Sequence, residues 1–147
     1  MGLTHLDAGI LIGFLDRADA HHAAASLVLA EALDRGDHLA MASSAFAEIL
    51  VAPARAGERA IEVVQDARRR LPIDIVAIDA DVALEAARLR AAHRSLRLPD
   101  ALVIAAAVEA GAQRLVTTDR RWPERTALGV DLERAVAGVV GRAVGQR

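Results

Sequence analysis

Short apolar runs alternate along the chain with longer stretches in which apolar residues recur every three or four positions. Short runs of this kind predict buried strands, and the longer spacing predicts helices with one buried face. The predicted strands are Leu3–Leu6, His38–Ala42, 73–78 and 115–117, with 129–132 as a candidate fifth. The predicted helices are Ala8–Leu15, 20–35, 45–52, 57–71, Ala80–Ala92 and 100–110.

Capping and helix-breaking residues suggest where three of these helices begin or end. Asp19 is placed to cap the helix 20–35, and Asp79 to cap the helix that follows the third strand. Pro53 is expected to interrupt the helix that begins near residue 45, because proline has no N–H to donate.

Strands that alternate with helices are typical of βα units, which build a parallel sheet with helices on both faces. The predicted fold class is therefore α/β, a three-layer α/β/α sandwich with a mainly parallel central sheet. The length of 147 residues fits a single domain, residues 1–147, that buries a core without disulfides. From about residue 133 the pattern leaves helix, strand and frayed end open.

Composition excludes several kinds of chemistry. The chain has no cysteine, so it forms neither a disulfide nor a thiolate zinc site, which is compatible with a reducing cytoplasm. No apolar stretch is long enough to span a bilayer, and no signal peptide is predicted. The net charge of −2 does not by itself indicate a polyanionic partner. All 18 cationic side chains are arginines, however, and the arginine fork suits phosphate geometry.

Four acidic residues are expected to meet at one edge of the sheet. Asp7 and Asp119 follow predicted strands, and Glu48 lies early in a helix that also follows a strand. Asp100 lies in the first turn of a helix that leads into the next strand, so this turn is placed at the same edge. Ligands of open parallel sheets bind beyond the carboxyl ends of the strands. Because these acids have no evident basic partner, we expect a cation between them.

The ligand type narrows the choice of cation. Hard carboxylate oxygens without thiolate or imidazole favour Mg²⁺ or Mn²⁺ over zinc or copper. Each acid also has a structural interpretation, because carboxylates cap helices and are favoured in first turns. No histidine pair has ligand spacing, and the chain has neither a glycine-rich phosphate loop nor a Gly-x-Ser-x-Gly nucleophile turn.

Four segments together resemble the PIN-domain family, and within it the VapC-type toxin ribonucleases of bacterial toxin–antitoxin pairs. They are Leu-Asp7-Ala-Gly-Ile-Leu, Ser-Ser-Ala-Phe-Ala-Glu48, Leu-Pro-Asp100-Ala-Leu-Val-Ile-Ala-Ala-Ala and Leu-Val-Thr-Thr-Asp119-Arg-Arg-Trp. The resemblance spans nearly the whole chain in the family's order.

The resemblance implies a PIN-like fold and a Mg²⁺- or Mn²⁺-dependent endoribonuclease, the toxin of a type II pair, neutralised by a protein antitoxin and commonly dimeric. It carries the family's acids onto Asp7, Glu48, Asp100 and Asp119 as metal ligands and catalytic residues. Thr117 falls on the family's threonine before the fourth acid. The family often has a hydroxyl or amide side chain at the two positions after its first Asp, where this chain has alanine and glycine.

The sequence offers candidate substrate contacts and is compatible with two alternative functions. Arg97, Arg120 and Arg121 are candidates to hold phosphates that flank the cleaved bond. With 2% aromatic residues, base stacking is a weak source of specificity. One alternative is a catalytically weak PIN-like protein that binds RNA or an antitoxin without cutting. The other is a metal-dependent phosphoesterase acting on small esters.

Overall fold

The structure is a computed structural model that describes residues 1–123 and 130–135. These residues form five strands and six helices. The strands are β1 (Leu3–Leu6), β2 (His38–Ala42), β3 (Ile73–Val76), β4 (Arg114–Thr117) and β5 (Asp131–Arg134). The helices are α1 (Ala8–Leu15), α2 (His22–Asp34), α3 (Ser43–Ala56), α4 (Glu58–Arg70), α5 (Ala80–Ala92) and α6 (Leu98–Glu109).

The strands build one parallel sheet in the order β3-β2-β1-β4-β5. The connections from β1 to β2 and from β2 to β3 move outward in one direction, and the connection from β3 returns to the other side of β1. Right-handed crossovers therefore place α1 to α4 on one face and α5 and α6 on the other. The predicted α/β/α sandwich is confirmed. The strand order reverses between β1 and β4, and such a reversal is where open parallel sheets bind ligands.

Most predicted elements are confirmed, although the bounds of the last three strands differ from the prediction by one or two residues. The third strand ends at Val76 rather than at residue 78. The candidate fifth strand is real but begins at Asp131, two residues later than predicted, and residue 129 lies outside the described residues. The undecided tail begins within β5, and residues 136–147 also lie outside the described part.

Two predicted helix boundaries are wrong. Helix α3 runs through Pro53 to Ala56. Proline removes one hydrogen bond to the preceding turn and can kink a helix, but only three residues of this helix follow it. Asp19 does not cap α2, because its carboxylate accepts the N–H of His21 inside the preceding turn and the helix begins one residue after that. Asp79 does cap α5, accepting the N–H of Val82 at 3.0 Å.

The core is aliphatic and rich in alanine, as the composition indicates. Ala105, Ala106 and Ala107 of α6 are all fully buried. Small side chains let this helix approach the sheet and α5 closely, since packing distance depends on the side chains at the contact. The close packing fixes the first turn of α6, which carries Asp100. None of the described helices is long and apolar enough to cross a membrane.

A buried carboxylate ties the opposite, amino edge of the sheet together. The Asp37 side chain, 8% exposed, accepts hydrogen bonds from the Gly2 N–H at 3.0 Å and the Thr4 hydroxyl at 2.9 Å. The Arg35 guanidinium donates at 3.1 Å, and that of Arg114 lies 3.6 Å away. Asp37 therefore connects the beginning of β1 to the loop before β2 and to β4.

Replacing Asp37 by Asn is expected to lower the free energy of unfolding by about 3 kcal/mol, because hydrogen bonds to a buried charge are lost. Burial raises the pKa of Asp37, but the bonds from Thr4, Arg35 and Gly2 outweigh it and hold the pKa below the ordinary 3.8. The ionised carboxylate therefore stabilises the folded state fully above about pH 3.8, the ordinary pKa, and this stabilisation is lost as the pH falls through the lowered pKa. Urea unfolding across acidic pH measures this.

The exposed Asp34 at the end of α2 provides the control for this effect. Its replacement by Asn should leave stability nearly unchanged, as for most exposed positions. A difference between wild type and the Asp37 variant that stays constant down to about pH 2 would contradict a role for the ionised carboxylate.

Candidate active site

Asp7 lies at the point where the strand order reverses. It follows β1 and caps α1, and its Oδ1 accepts the N–H of Ala8 at 2.8 Å. Its own N–H donates to the carbonyl of Val116 at 2.9 Å, so the backbone is held by β4. The Thr117 hydroxyl donates to Oδ2 at 2.8 Å. The carboxylate is thus fixed between β1 and β4 at the carboxyl edge of the sheet.

Thr117 links Asp7 to Asp119. The Thr117 side chain is fully buried, and its oxygen also accepts the N–H of Asp119 at 3.0 Å. A single hydroxyl therefore orients the first carboxylate and fixes the backbone that carries the fourth. This geometry fits the prediction that Thr117 supports the acids.

All four predicted acids are coupled electrostatically, through the pairs Asp7 with Asp100, Asp7 with Glu48, and Asp100 with Asp119. The pKa of Asp7 is raised to about 6, mainly by burial and to a smaller extent by the charges of Asp100 and Glu48, against the hydrogen bonds from Thr117 and Ala8. Burial also raises the pKa of Asp100, as does the charge of Asp119. Glu48, in the second turn of α3, is exposed. The carboxyl edge therefore carries a concentrated negative charge centred on Asp7.

The expectation that these acids lack basic partners is wrong for two of them. Arg121 hydrogen bonds the Asp119 carboxylate at 2.9 Å, and this contact lowers the pKa of Asp119. The Arg97 guanidinium lies 3.8 Å from Asp100. Sequence spacing does not reveal the first contact, because Arg121 reaches back over two residues within a loop. Arg120, the third candidate phosphate contact, is exposed.

The donor set suits a hard divalent cation in chemical type, because it consists of carboxylate oxygens at a site of unbalanced negative charge. Among the described residues, no three acidic or histidine side chains form a group that could hold a metal ion. The site therefore fits Mg²⁺ or Mn²⁺ in donor chemistry and charge, without presenting a closed coordination sphere.

Histidine does not contribute to this edge. His5 precedes Asp7 by two residues on β1 and is fully buried, and burial lowers its pKa to about 4. Its ring is neutral at pH 7. Neither ring nitrogen has a hydrogen-bond partner among the described residues.

The sequence interpretation missed a role for Trp122, the single tryptophan of the chain. The indole is 4% exposed, and its interaction with Asp100 is one cause that lowers the pKa of that carboxylate. The only signal in the sequence was an aromatic residue in a chain that has few. Trp122 contributes to fixing Asp100 beside the loop that carries Asp119.

Gly9 has a structural reason that the sequence did not show. A Cβ at this position would overlap the hydroxyl oxygen of Thr118. The Thr118 side chain, from the loop after β4, therefore occupies the space that a side chain at position 9 would need. The departure from the family pattern after Asp7 thus leaves a hydroxyl beside the first turn of α1.

Fold and site together define a class, namely an α/β protein with an acidic site where a parallel sheet reverses its strand order. The chain matches the model of the PIN domain over residues 5–128, and it belongs to that family. The predicted family is confirmed. Comparison with curated protein sequences gives no match.

Solved structures with the same fold share little sequence with this chain. VapBC2 from Rickettsia felis, bound to a promoter DNA fragment, matches with a TM-score of 0.70 and 17% identity over 90% of this chain and 98% of that one. A toxin–antitoxin complex from Klebsiella pneumoniae matches with a TM-score of 0.56 and 23% identity, over 79% of this chain and 86% of that one. VapC20 from Mycobacterium tuberculosis, a sarcin-ricin loop cleaving toxin, matches with a TM-score of 0.59 and 17% identity, over 76% of this chain and 86% of that one.

Proposed function

We propose that this protein is a Mg²⁺- or Mn²⁺-dependent endoribonuclease and the toxin of a type II toxin–antitoxin pair. The observation that carries the proposal is the buried Asp7 carboxylate, which lies where the sheet reverses and is coupled to Asp100 and Glu48. Membership of the PIN family, and structural neighbours that include an RNA-cleaving toxin, support this choice over other metal-dependent chemistry.

Asp7, Glu48 and Asp100 would hold the divalent ion, and Asp119 completes the same edge of the sheet. A bound ion supplies charge neutralisation at a phosphate and a water of lowered pKa. Asp7 is oriented for this task by the Thr117 hydroxyl and the Ala8 N–H. Burial is the main cause of the raised pKa of Asp7, and the neighbouring charges of Asp100 and Glu48 add to the cost of its ionised form, which a bound cation would offset.

The protein residues would also hold the RNA and direct the proton from the attacking water. Glu48, which is exposed at this edge, would orient that water for in-line attack on the phosphate. Arg97, Arg120 and Arg121 lie on the same rim and would hold flanking phosphates, which positions the RNA without reading its sequence. If the bond from phosphorus to the 3′-oxygen breaks and that oxygen takes up a proton, the products carry a 3′-hydroxyl and a 5′-phosphate, which are the ends that the resemblance to the PIN family implies.

The partners follow from the same proposal. The protein would act in the cytoplasm as a homodimer, and a protein antitoxin would neutralise it. Structural neighbours solved as a toxin–antitoxin complex and as VapBC2 support an antitoxin partner.

Incubating the purified protein with a folded ribosomal RNA in Mg²⁺ tests the activity. We expect a few discrete fragments with 5′-phosphate ends. RNA binding without cleavage would instead favour the binding-protein alternative. Hydrolysis of a small chromogenic phosphodiester that RNA does not inhibit would favour the phosphoesterase alternative.

A further inference from the structure

Asp119 differs from the other acids because its carboxylate oxygens are already engaged by one residue. The Arg121 backbone N–H donates to Oδ1 at 2.8 Å, and Nε donates to the same oxygen at 3.1 Å. Nη2 donates to Oδ2 at 2.9 Å. This bidentate contact is the strongest arrangement that arginine makes with a carboxylate.

The other buried carboxylate at this edge has no such neutralising contact. Asp7 accepts from the Thr117 hydroxyl and the Ala8 N–H, which are neutral donors. Its negative charge remains available to a cation. A divalent ion that used Asp119 would share its oxygens with a guanidinium, whose positive charge opposes that of the ion. Asp7 is therefore suited to bind an ion, whereas Asp119 is suited to hold a side chain.

The Arg121 side chain has donors left over for an anion. Guanidinium carries five N–H groups, of which Nε and one on Nη2 point to Asp119. The side chain is 75% exposed, so the remaining N–H groups face solvent, while the Asp119 carboxylate is 19% exposed. The pair thus consists of a fixed acid and an accessible fork.

The fork is connected to Asp7 through short contacts. Thr117 donates to Asp7 and accepts the N–H of Asp119, which in turn holds Arg121. The position of the guanidinium is therefore set relative to Asp7. An arginine fixed in this way matches a phosphate group better than a freely rotating one, because less side-chain freedom is lost on binding.

We propose that Asp119 is a positioning residue that holds Arg121 as an anchor for an RNA phosphate, rather than a ligand of the divalent ion. The proposal rests on the proposed function, because it takes RNA as the ligand. It assigns the fourth acid of the motif a role in substrate binding.

The proposal is tested by measuring RNA affinity under conditions that prevent cleavage. It predicts that the affinity of one variant changes in the direction opposite to that expected from simple electrostatics. The probe is a fluorescent mixed-sequence single-stranded RNA, titrated in EDTA. Arg121→Gln should weaken binding about tenfold and reduce the slope of log K against log salt by about 0.7, the value for one lost phosphate contact. Asp119→Asn should also weaken binding, although it removes a negative charge. Simple electrostatics predicts the opposite, since a less acidic surface attracts RNA more strongly.

A pair at the other end of the molecule serves as the matched control. Arg70 and Asp66 on α4 form an ion pair at the same 2.9 Å. Helix α4 ends before β3 begins, so this pair lies toward the amino edge of the sheet. Asp66→Asn should leave RNA affinity unchanged or slightly increase it. The double variant Asp119→Asn/Arg121→Gln should bind RNA no more weakly than Arg121→Gln alone.

Mn²⁺ titration without RNA distinguishes an acid that binds the metal ion from one that positions a side chain. Asp7→Asn should weaken Mn²⁺ binding by about tenfold or more, whereas Asp119→Asn should change it by no more than about threefold, the scale of a screened neighbouring charge. Equal losses in the two variants would overturn the positioning role. So would a tenfold tighter Mn²⁺ affinity in Arg121→Gln, or tighter RNA binding by Asp119→Asn.

The failure of this proposal and the failure of the proposed function have different signatures. Wild-type protein that neither binds nor cuts RNA overturns both. Cleavage that is normal in wild type, combined with Mn²⁺ binding that depends on Asp119 as strongly as on Asp7, overturns the positioning role alone. Melting curves of each variant confirm that it is folded before either titration.

Discussion

Replacing Asp7 by Asn should abolish RNA cleavage while the protein stays folded. The substitution keeps the shape of the side chain and an oxygen that accepts the Ala8 N–H. It removes the negative charge at the centre of the coupled group. Loss of one electrostatic element aimed at a transition state costs about 10²- to 10³-fold in rate, and we expect at least that reduction.

Stability should not account for this loss. Burial raises the pKa of Asp7 from 3.8 to about 6, so the ionised carboxylate is less favourable in the folded state than in the unfolded one at pH 7. Protonation below the raised pKa relieves this cost, and the neutral Asn relieves it at every pH. The variant should therefore melt no lower than wild type in EDTA, as thermal denaturation will show.

Asp79 is the matched control, because it also follows a strand and also caps a helix. Asp79→Asn should retain cleavage. Activity of the Asp7 variant equal to that of wild type would exclude the carboxylate from the chemistry. Loss of activity in both variants, accompanied by lower melting temperatures, would instead point to a defect in folding.

The sequence predicted the elements that depend on local pattern. Strands β1 and β2 and helix α1 have the predicted bounds, because their apolar runs end at an acidic or capping residue. The same logic placed Asp7 and Asp100 at one edge. Helix ends were less predictable, as Pro53 shows by lying inside a helix that its own chemistry disfavours.

Contacts inside the loop after β4 were beyond the reach of sequence patterns. A run of two arginines reads as a solvated surface segment, yet Arg121 turns back onto Asp119. The meaning of Gly9 likewise depends on Thr118, which is more than a hundred residues away along the chain. Both cases involve a loop whose conformation is set by the strand before it and by the helix it contacts.

Removing divalent ions should reduce cleavage to background, and adding Mn²⁺ should raise the melting temperature of wild type. The coupled charges of Asp7, Asp100 and Glu48 oppose one another in the folded protein, and a cation that binds between them stabilises only that state. At a concentration 100 times the dissociation constant, the gain is about 2.7 kcal/mol. A gain of this size corresponds to roughly 5 to 10 °C in a domain of this length.

The comparison of variants makes this measurement specific to the carboxyl edge. Asp7→Asn and Asp100→Asn should each lose most of the Mn²⁺-induced increase in melting temperature, because each removes a charge from the coupled group. Asp37→Asn, at the amino edge, should lower the melting temperature measured without Mn²⁺ but should show the same Mn²⁺-induced increase as wild type. Cleavage that persists in chelator, or an increase that is equal in all variants, would place the ion elsewhere. Asp7 would then act as the cap of α1, and the charges of Glu48 and Asp100 would have no shared ligand.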